Sequence, residues 1–124
     1  MILSAVRQAT LTTNNFEEGG EGGALSKCYG KYHSDNTPVV ALSTGWFNNK
    51  KRCHNYITIR GTRTSVKAMV VDECDSTAGC DSDYDYQSPC PNNIVDTSKT
   101  VWKGLGVKES DNIYGFMDIT WLDA

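Results

Sequence analysis

Hydrophobic positions along this chain come in short alternating runs, and few of them fall at helical spacing. The longest run is Val66-Lys67-Ala68-Met69-Val70-Val71, with Val66, Ala68 and Val70 on one face of a strand and Lys67, Met69 and Val71 on the other. With only Lys67 polar on the second face, this strand is expected to be buried on both sides for most of its length. It ends in Asp72-Glu73-Cys74-Asp75. Asp72 therefore falls where a central strand leaves its sheet, a place where working side chains are often found.

Other strands are read from the same alternation. Residues 9–13 (Ala-Thr-Leu-Thr-Thr) form one, stopped by Asn14-Asn15, and Val39 to Thr44 form a buried one closed by Gly45. Trp46-Phe47 and a turn at Asn48-Asn49 follow. Tyr56-Ile57-Thr58-Ile59-Arg60 alternates and turns through Gly61-Thr62-Arg63 into the long strand, which predicts a hairpin. Asn92 to Asp96 is a brief strand, and Thr97 to Gly106 reads as a short helix with Asp96 or Thr97 as N-cap and Gly104 or Gly106 as its stop. In the last run, Tyr114 to Leu122, Met117, Ile119 and Trp121 share the core face and Asp118 and Thr120 the other. Five to seven short strands with one short helix fit a small closed barrel better than an open sheet. Residues 9–124 are expected to form this single domain, with residues 1–8 a flexible or added N-terminal segment.

Composition narrows the class. The 124 residues suffice for one modest core. A net charge of −3 and a pI near 5.2 argue against nucleic-acid or anionic-membrane partners. No run approaches the roughly 18 apolar residues of a membrane span. Glu17 to Gly23 is rich in glycine, but its interleaved acids make it a solvated loop and no phosphate cradle.

Five cysteines (Cys28, Cys53, Cys74, Cys80 and Cys90) change the picture more. None stands in a CxxC pair and neither histidine has a second ligand at zinc spacing, so disulfides and an oxidising compartment are expected, with no metal or other cofactor. The spacings leave the pairing open, and the odd count leaves one thiol over. Cys53-His54 reads as a half-cystine beside a surface histidine, since neighbours on a strand point to opposite faces.

Residues 72–91 hold six acids, three of the cysteines and two prolines, a long loop of the kind that is usually functional or cross-linked. Within it, Asp81-x-Asp83-x-Asp85 opens like a calcium loop but has Tyr86 where glycine is required and Asn92 where the bidentate glutamate should stand. Tyr84 and Tyr86, between Cys80 and Cys90, are candidate contact residues because tyrosine offers large area at low entropic cost. Tyr32 and His33 are weaker candidates, and the basic run Lys50-Lys51-Arg52 is solvated surface or a steering patch for an acidic partner. Asp72 and Asp96 each end a strand. In a closed barrel they can face one groove, the pairing of carboxylates that glycoside hydrolysis uses, although a loop anchor and a helix cap explain them better.

Several ordered segments carry a family resemblance. Gly19-Gly20-Glu21-Gly22-Gly23, Cys28-Tyr29-Gly30-Lys31-Tyr32-His33-Ser34, Val40-Ala41-Leu42-Ser43-Thr44-Gly45-Trp46-Phe47 and Arg52-Cys53-His54 resemble the kiwellin (ripening-related) proteins of plants. So do Val70-Val71-Asp72-Glu73-Cys74-Asp75-Ser76, Cys90-Pro91-Asn92-Asn93-Ile94-Val95-Asp96, Val101-Trp102-Lys103 and Asp118-Ile119-Thr120-Trp121. The resemblance covers the core domain of that family; the cysteine-rich N-terminal segment of many members does not precede it here, which would account for the odd thiol. It implies a disulfide-stapled, six-stranded double-psi β-barrel, shared with barwin-like proteins, the first domain of expansins and barrel-type endoglucanases. It also implies secretion to the plant apoplast or cell wall and a defence role without catalysis. Some kiwellins bind and inhibit chorismate mutases secreted by fungal pathogens, using loops on one face of the barrel. By position Asp72 and Asp96 look like the two groove aspartates of expansins, which makes a polysaccharide-binding protein or weak glycoside hydrolase the alternative. Expansins read His-Phe-Asp where this chain reads Ile94-Val95-Asp96, and that apolar pair weakens a sugar-cleaving reading.

Overall fold

A computed structural model describes residues 5–17, 26–28, 30–77 and 89–124. Six strands close a barrel: β1 (Arg7–Thr13), β2 (Val39–Ser43), β3 (Tyr56–Arg60), β4 (Ser65–Cys74), β5 (Ile94–Thr97) and β6 (Phe116–Asp123), in the order β1-β5-β2-β4-β3-β6. The pairs β1–β5 and β2–β4 are parallel, and the remaining four are antiparallel. β1 and β2 lie on either side of β5, and residues 14–38 make the crossing connection between them; β4 and β5 lie on either side of β2 and are linked by residues 75–93.

The inner face of each strand carries the core. Leu11, Val40, Leu42, Ile57, Ile59, Ala68, Val70, Val95, Ile119 and Trp121 form one cluster, sealed at one side by Val101 and Trp102. The pattern explains β4: Val66, Ala68 and Val70 point inward, Val71 and Met69 join a second cluster on the outside, and Lys67 is exposed. That second cluster, with Phe16, Val39 and Ala41, covers the outer face of β2, which is why every residue of β2 is buried. The pairing of β2 with β4 slips by one residue between Val40 and Ala41, which takes Val71 out of the ladder and brings Asp72 opposite Ala41.

Several boundaries differ from the sequence reading. The first strand starts at Arg7, two residues before the strand expected at 9–13, because β6 runs on to Asp123 and gives Arg7 a partner in Trp121. The hairpin between β3 and β4 takes residues 61–64, closed by the Gly61 amide donating to the Thr64 carbonyl at 3.0 Å. Thr44 leaves the strand to begin a single helical turn, α1 (Thr44–Phe47), ended by Asn48 in the left-handed region at φ 54°. The predicted helix is shorter, α2 (Lys99–Gly104), and Ser98 stands at its start. Neither Asp96 nor Thr97 caps it: both remain in β5, where the Thr97 hydroxyl donates to the Thr12 carbonyl at 3.1 Å. Ser98 makes no cap bond either; its Oγ accepts from the Val39 amide and donates to the Thr37 carbonyl at 2.7 Å.

Two disulfides join Cys28 to Cys53 and Cys74 to Cys90, each with Cα atoms 5.6 Å apart. Cys53 and His54 lie in a turn, not on a strand as the sequence argument supposed, and His54 has a left-handed φ of 64°. Cys80 lies outside the described residues. No helix among the described residues is long and apolar enough to cross a membrane.

Candidate functional site: a row of side chains across the barrel

Register places the two sequence-flagged aspartates on one line. Ala41 in β2 is paired with Asp72 of β4 on one side and Asp96 of β5 on the other. Directly paired residues point to the same face of a sheet, so all three face outward, away from Leu42 and Val95. Two interstrand spacings separate the aspartate Cα atoms by about 10 Å. The row continues through Thr12 of β1, opposite Asp96, to Phe116 of β6, which is 71% exposed.

Neither carboxylate is idle. Asp96 Oδ1 accepts from the Thr12 hydroxyl at 2.7 Å. Asp72 Oδ1 accepts from the amides of Lys27 and Glu73 at 2.9 and 2.8 Å, which ties the β1–β2 connection to the end of β4. Burial pushes both carboxyls above the ordinary carboxylate value. The hydrogen bonds to Asp72, and those of Thr12 and Asn14 to Asp96, oppose the shift, and the Asp72 charge adds to it at Asp96.

The middle of the row is filled. Phe16 packs with Val39, Ala41 and Val71, leaving Ala41 only 3% exposed. The Phe16 carbonyl accepts from the His33 amide at 2.9 Å, so the crossing connection is pinned over the strip between the aspartates. Burial first, then the electrostatic effect of nearby His54 and Lys31, holds the His33 imidazole below its ordinary value, with the Asp72 charge opposing. Asp72 and Asp96 are of the residue type that glycoside hydrolysis pairs, and they share one row. A sugar ring between them would have to displace Phe16, and one Asp72 oxygen, Oδ1, is held by two amides.

The other predicted site residues scatter. Tyr32 is exposed and His33 half-buried, close enough to Asp72 to feel its charge. Lys50 and Lys51 project to solvent. Arg52 does not belong with them. Its Nε and Nη2 donate to Asp123 at 2.9 and 3.2 Å and its Nη1 to the Trp46 carbonyl at 2.7 Å, so it serves the fold. Tyr84 and Tyr86, with Asp81, Asp83 and Asp85, lie outside the described residues. The base of the loop that carries them is closed by the Cys74–Cys90 bond. Among the described residues no three His, Cys, Asp or Glu side chains gather as a metal site. Sequence reading missed Thr12 and Phe16. Nothing local marks either one, because their partners Asp96 and Ala41 meet them only when the barrel closes.

A closed barrel with two parallel pairs and an outward aspartate row is of the double-psi type. Solved structures agree on the fold: an apo expansin of Clavibacter michiganensis superposes with a TM-score of 0.68 at 16% identity, over 97% of this chain and 50% of that one. An expansin variant in complex with cellohexaose superposes at 0.66, again over 97% of this chain and 50% of that one at 16% identity. The Streptomyces papain inhibitor reaches 0.63 at 15% identity, over 95% of this chain and 93% of that one.

Sequence relatives decide the family. The Kiwellin-1 family model matches residues 2–124. The chain is 52% identical to kiwellin of Actinidia chinensis var. chinensis over 114 residues, covering 91% of this chain and 52% of that protein. It is 51% identical to ripening-related protein 3 of Oryza sativa subsp. japonica over 117 residues, covering 94% and 54%. This chain belongs to the kiwellin family of ripening-related proteins. It spans about half the length of the curated relatives it matches.

Proposed function

We propose that this chain is a secreted, non-catalytic plant defence protein, resident in the apoplast or cell wall. Its barrel loops bind and inhibit a protein secreted by a pathogen, such as a fungal chorismate mutase. The observation that carries this reading is the Cys74–Cys90 bond, which closes the base of the segment bearing Tyr84 and Tyr86 where β4 leaves the barrel. A long segment with a fixed base can meet a partner surface at a reduced ordering cost. Tyr32 and the lysines Lys50 and Lys51 add exposed contact groups, and two disulfides suit an oxidising exterior. The engaged carboxylates and the Phe16 plug favour binding over bond cleavage. A neighbour of the same fold being an inhibitor of papain supports the idea that such barrels suit inhibition.

The test is a titration of the chain into a fungal chorismate mutase, with mutase turnover and co-elution as readouts. Joint elution and loss of turnover at micromolar concentration are expected. Separate elution rules out that partner. Failure to capture any protein from fungal secretions removes the class.

A second reading, polysaccharide binding or weak glycoside hydrolysis through Asp72 and Asp96, rests on the aspartate row and on the expansin fold neighbour solved with cellohexaose. Retention on cellulose, glucan or chitin, with reducing-sugar release abolished by Asp96→Asn, would place it above the first.

A further inference from the structure

Away from the aspartate row, α2 lines a hollow of about 610 Å³, within the size range of small-molecule sites. Three lysines surround it. Lys99 and Lys103 lie four residues apart on one face of α2, and Lys108 stands on the segment that returns after the left-handed turn at Gly106. Val107 and Tyr114 give the hollow an apolar part, and Glu109 is its single acidic member.

The fold itself gives no reason for this grouping. None of the three lysines makes an ion pair among the described residues. Lys99 opens α2, where a cation opposes the aligned amide dipoles, and no acid stands in that first turn to offset it. Like charges four apart on a helix repel as well. Only Lys103, in the last turn, is favoured where it sits. The chain as a whole is negative, with 15 acids against 12 basic residues, so three cations around one concavity run against its average.

The walls are firm. Trp102 of α2 is fully buried and its Nε1–H donates to the Thr12 carbonyl at 3.2 Å. Tyr114 packs on Trp102 with ring centroids 5.0 Å apart. The three exposed lysines are thus carried on an anchored frame beside an aromatic flank. We infer that this hollow binds a small organic anion that carries two or more carboxylate or phosphate groups on a flat apolar body. The charges meet Lys99, Lys103 and Lys108, and the body lies against Tyr114 and Val107. This site is independent of the proposed partner-binding loops.

Benzene-1,3,5-tricarboxylate is a suitable probe, titrated into the full chain at low salt and followed by amide shifts in a 15N correlation spectrum. Saturable shifts are expected at Thr100, Val107 and Tyr114. The variant Lys99→Ala/Lys103→Ala/Lys108→Ala should bind roughly tenfold more weakly or worse, while Lys50→Ala/Lys51→Ala leaves affinity unchanged. The neutral tricarboxamide of the same ring should not bind, and citrate, with no ring, should bind less tightly. All three lysines are exposed, so the triple variant keeps its fold, which its spectrum reports directly. Undiminished binding by the triple variant overturns the inference. So does a hexaglutamate peptide shifting the same amides while the tricarboxylate does not, which would make the hollow a docking point for acidic polypeptide.

Discussion

Asp72 and Asp96 stand on either side of Ala41, each its direct partner across a strand gap, with Phe16 packed over the residue between them. Their carboxyls are held above the ordinary value by burial. A carboxyl raised in this way contributes stability that is present below its unfolded value, about 3.9, and lost as pH rises through the folded value. Asp96→Asn removes the charge and keeps an oxygen for the Thr12 hydroxyl. The variant should therefore melt at a higher temperature than the native chain at pH 7 and at nearly the same temperature at pH 3. Asp72→Asn should follow the same sign. Thermal unfolding at the two pH values checks both, and a lower melting temperature at pH 7 would show that the ionised carboxylate stabilises the row.

Asp123 behaves in the opposite sense. The hydrogen bonds from Arg52 hold its carboxyl below the ordinary value, against a smaller burial effect, with the Arg52 and Arg7 charges adding to the lowering. Stability from this contact is present above the unfolded carboxyl value and fades as pH falls through the folded one. Arg7 and Arg52 also sit over the Trp121 ring, at 4.4 and 5.4 Å from its centroid respectively, and Trp46 meets that ring edge-on at 5.3 Å. Arg52→Ala loses the fork to Asp123, the bond to Trp46 and the ring contact, a destabilisation of about 1–3 kcal/mol. Arg52→Lys should recover less than half of it, because an ammonium cannot reproduce the planar fork. Urea unfolding near neutral pH measures both variants. No loss in Arg52→Ala would return this residue to the solvent-facing basic run.

Gly104 ends α2 for a packing reason. A Cβ there would stand 2.7 Å from Val66 Cγ2, closer than side chains tolerate. Gly→Ala inside a helix ordinarily stabilises by about 1 kcal/mol. Here it should destabilise by about 1–3 kcal/mol. Pairing it with Val66→Ala should relieve the clash, so the double variant should be more stable than the two single losses predict. Additive losses in denaturant unfolding would mean that α2 shifts to make room.

The strands were legible because an inner face and an outer face impose a period of two, and Tyr56–Arg60 and Phe116–Asp123 show it openly. Even β2 was readable as buried, though not why: the apolar run Val39-Val40-Ala41-Leu42 needs both a core and the distant Phe16. Asp96 was misread by local grammar. An acid just before a helix suggests a cap, but Thr12, 84 residues away, takes its carboxylate instead. The turn Thr44–Phe47 is too short to show a helical period and contains a glycine. Arg52 beside two lysines resembles a surface cluster until closure brings Asp123, 71 residues away, to its guanidinium. Disulfide partners were equally out of reach, since spacing says nothing of which Cα atoms the barrel brings within bonding distance.

The two staples should separate stability from binding. The Cys74–Cys90 bond spans 16 residues and Cys28–Cys53 spans 25, so chain entropy assigns them similar stabilisation, about 3 and 3.5 kcal/mol. Cys74→Ser/Cys90→Ser and Cys28→Ser/Cys53→Ser should lower unfolding free energy by comparable amounts. Only the first frees the base of the segment holding Tyr84 and Tyr86. If that segment is the grip on a secreted partner, its release adds an ordering cost to association, of about 0.5–1.5 kcal/mol for each side chain that must be immobilised. Affinity for a captured partner should then fall at least tenfold in the first variant, with the second within about threefold of native, at a temperature where both remain folded. Equal losses in the two variants would place the grip elsewhere on the barrel.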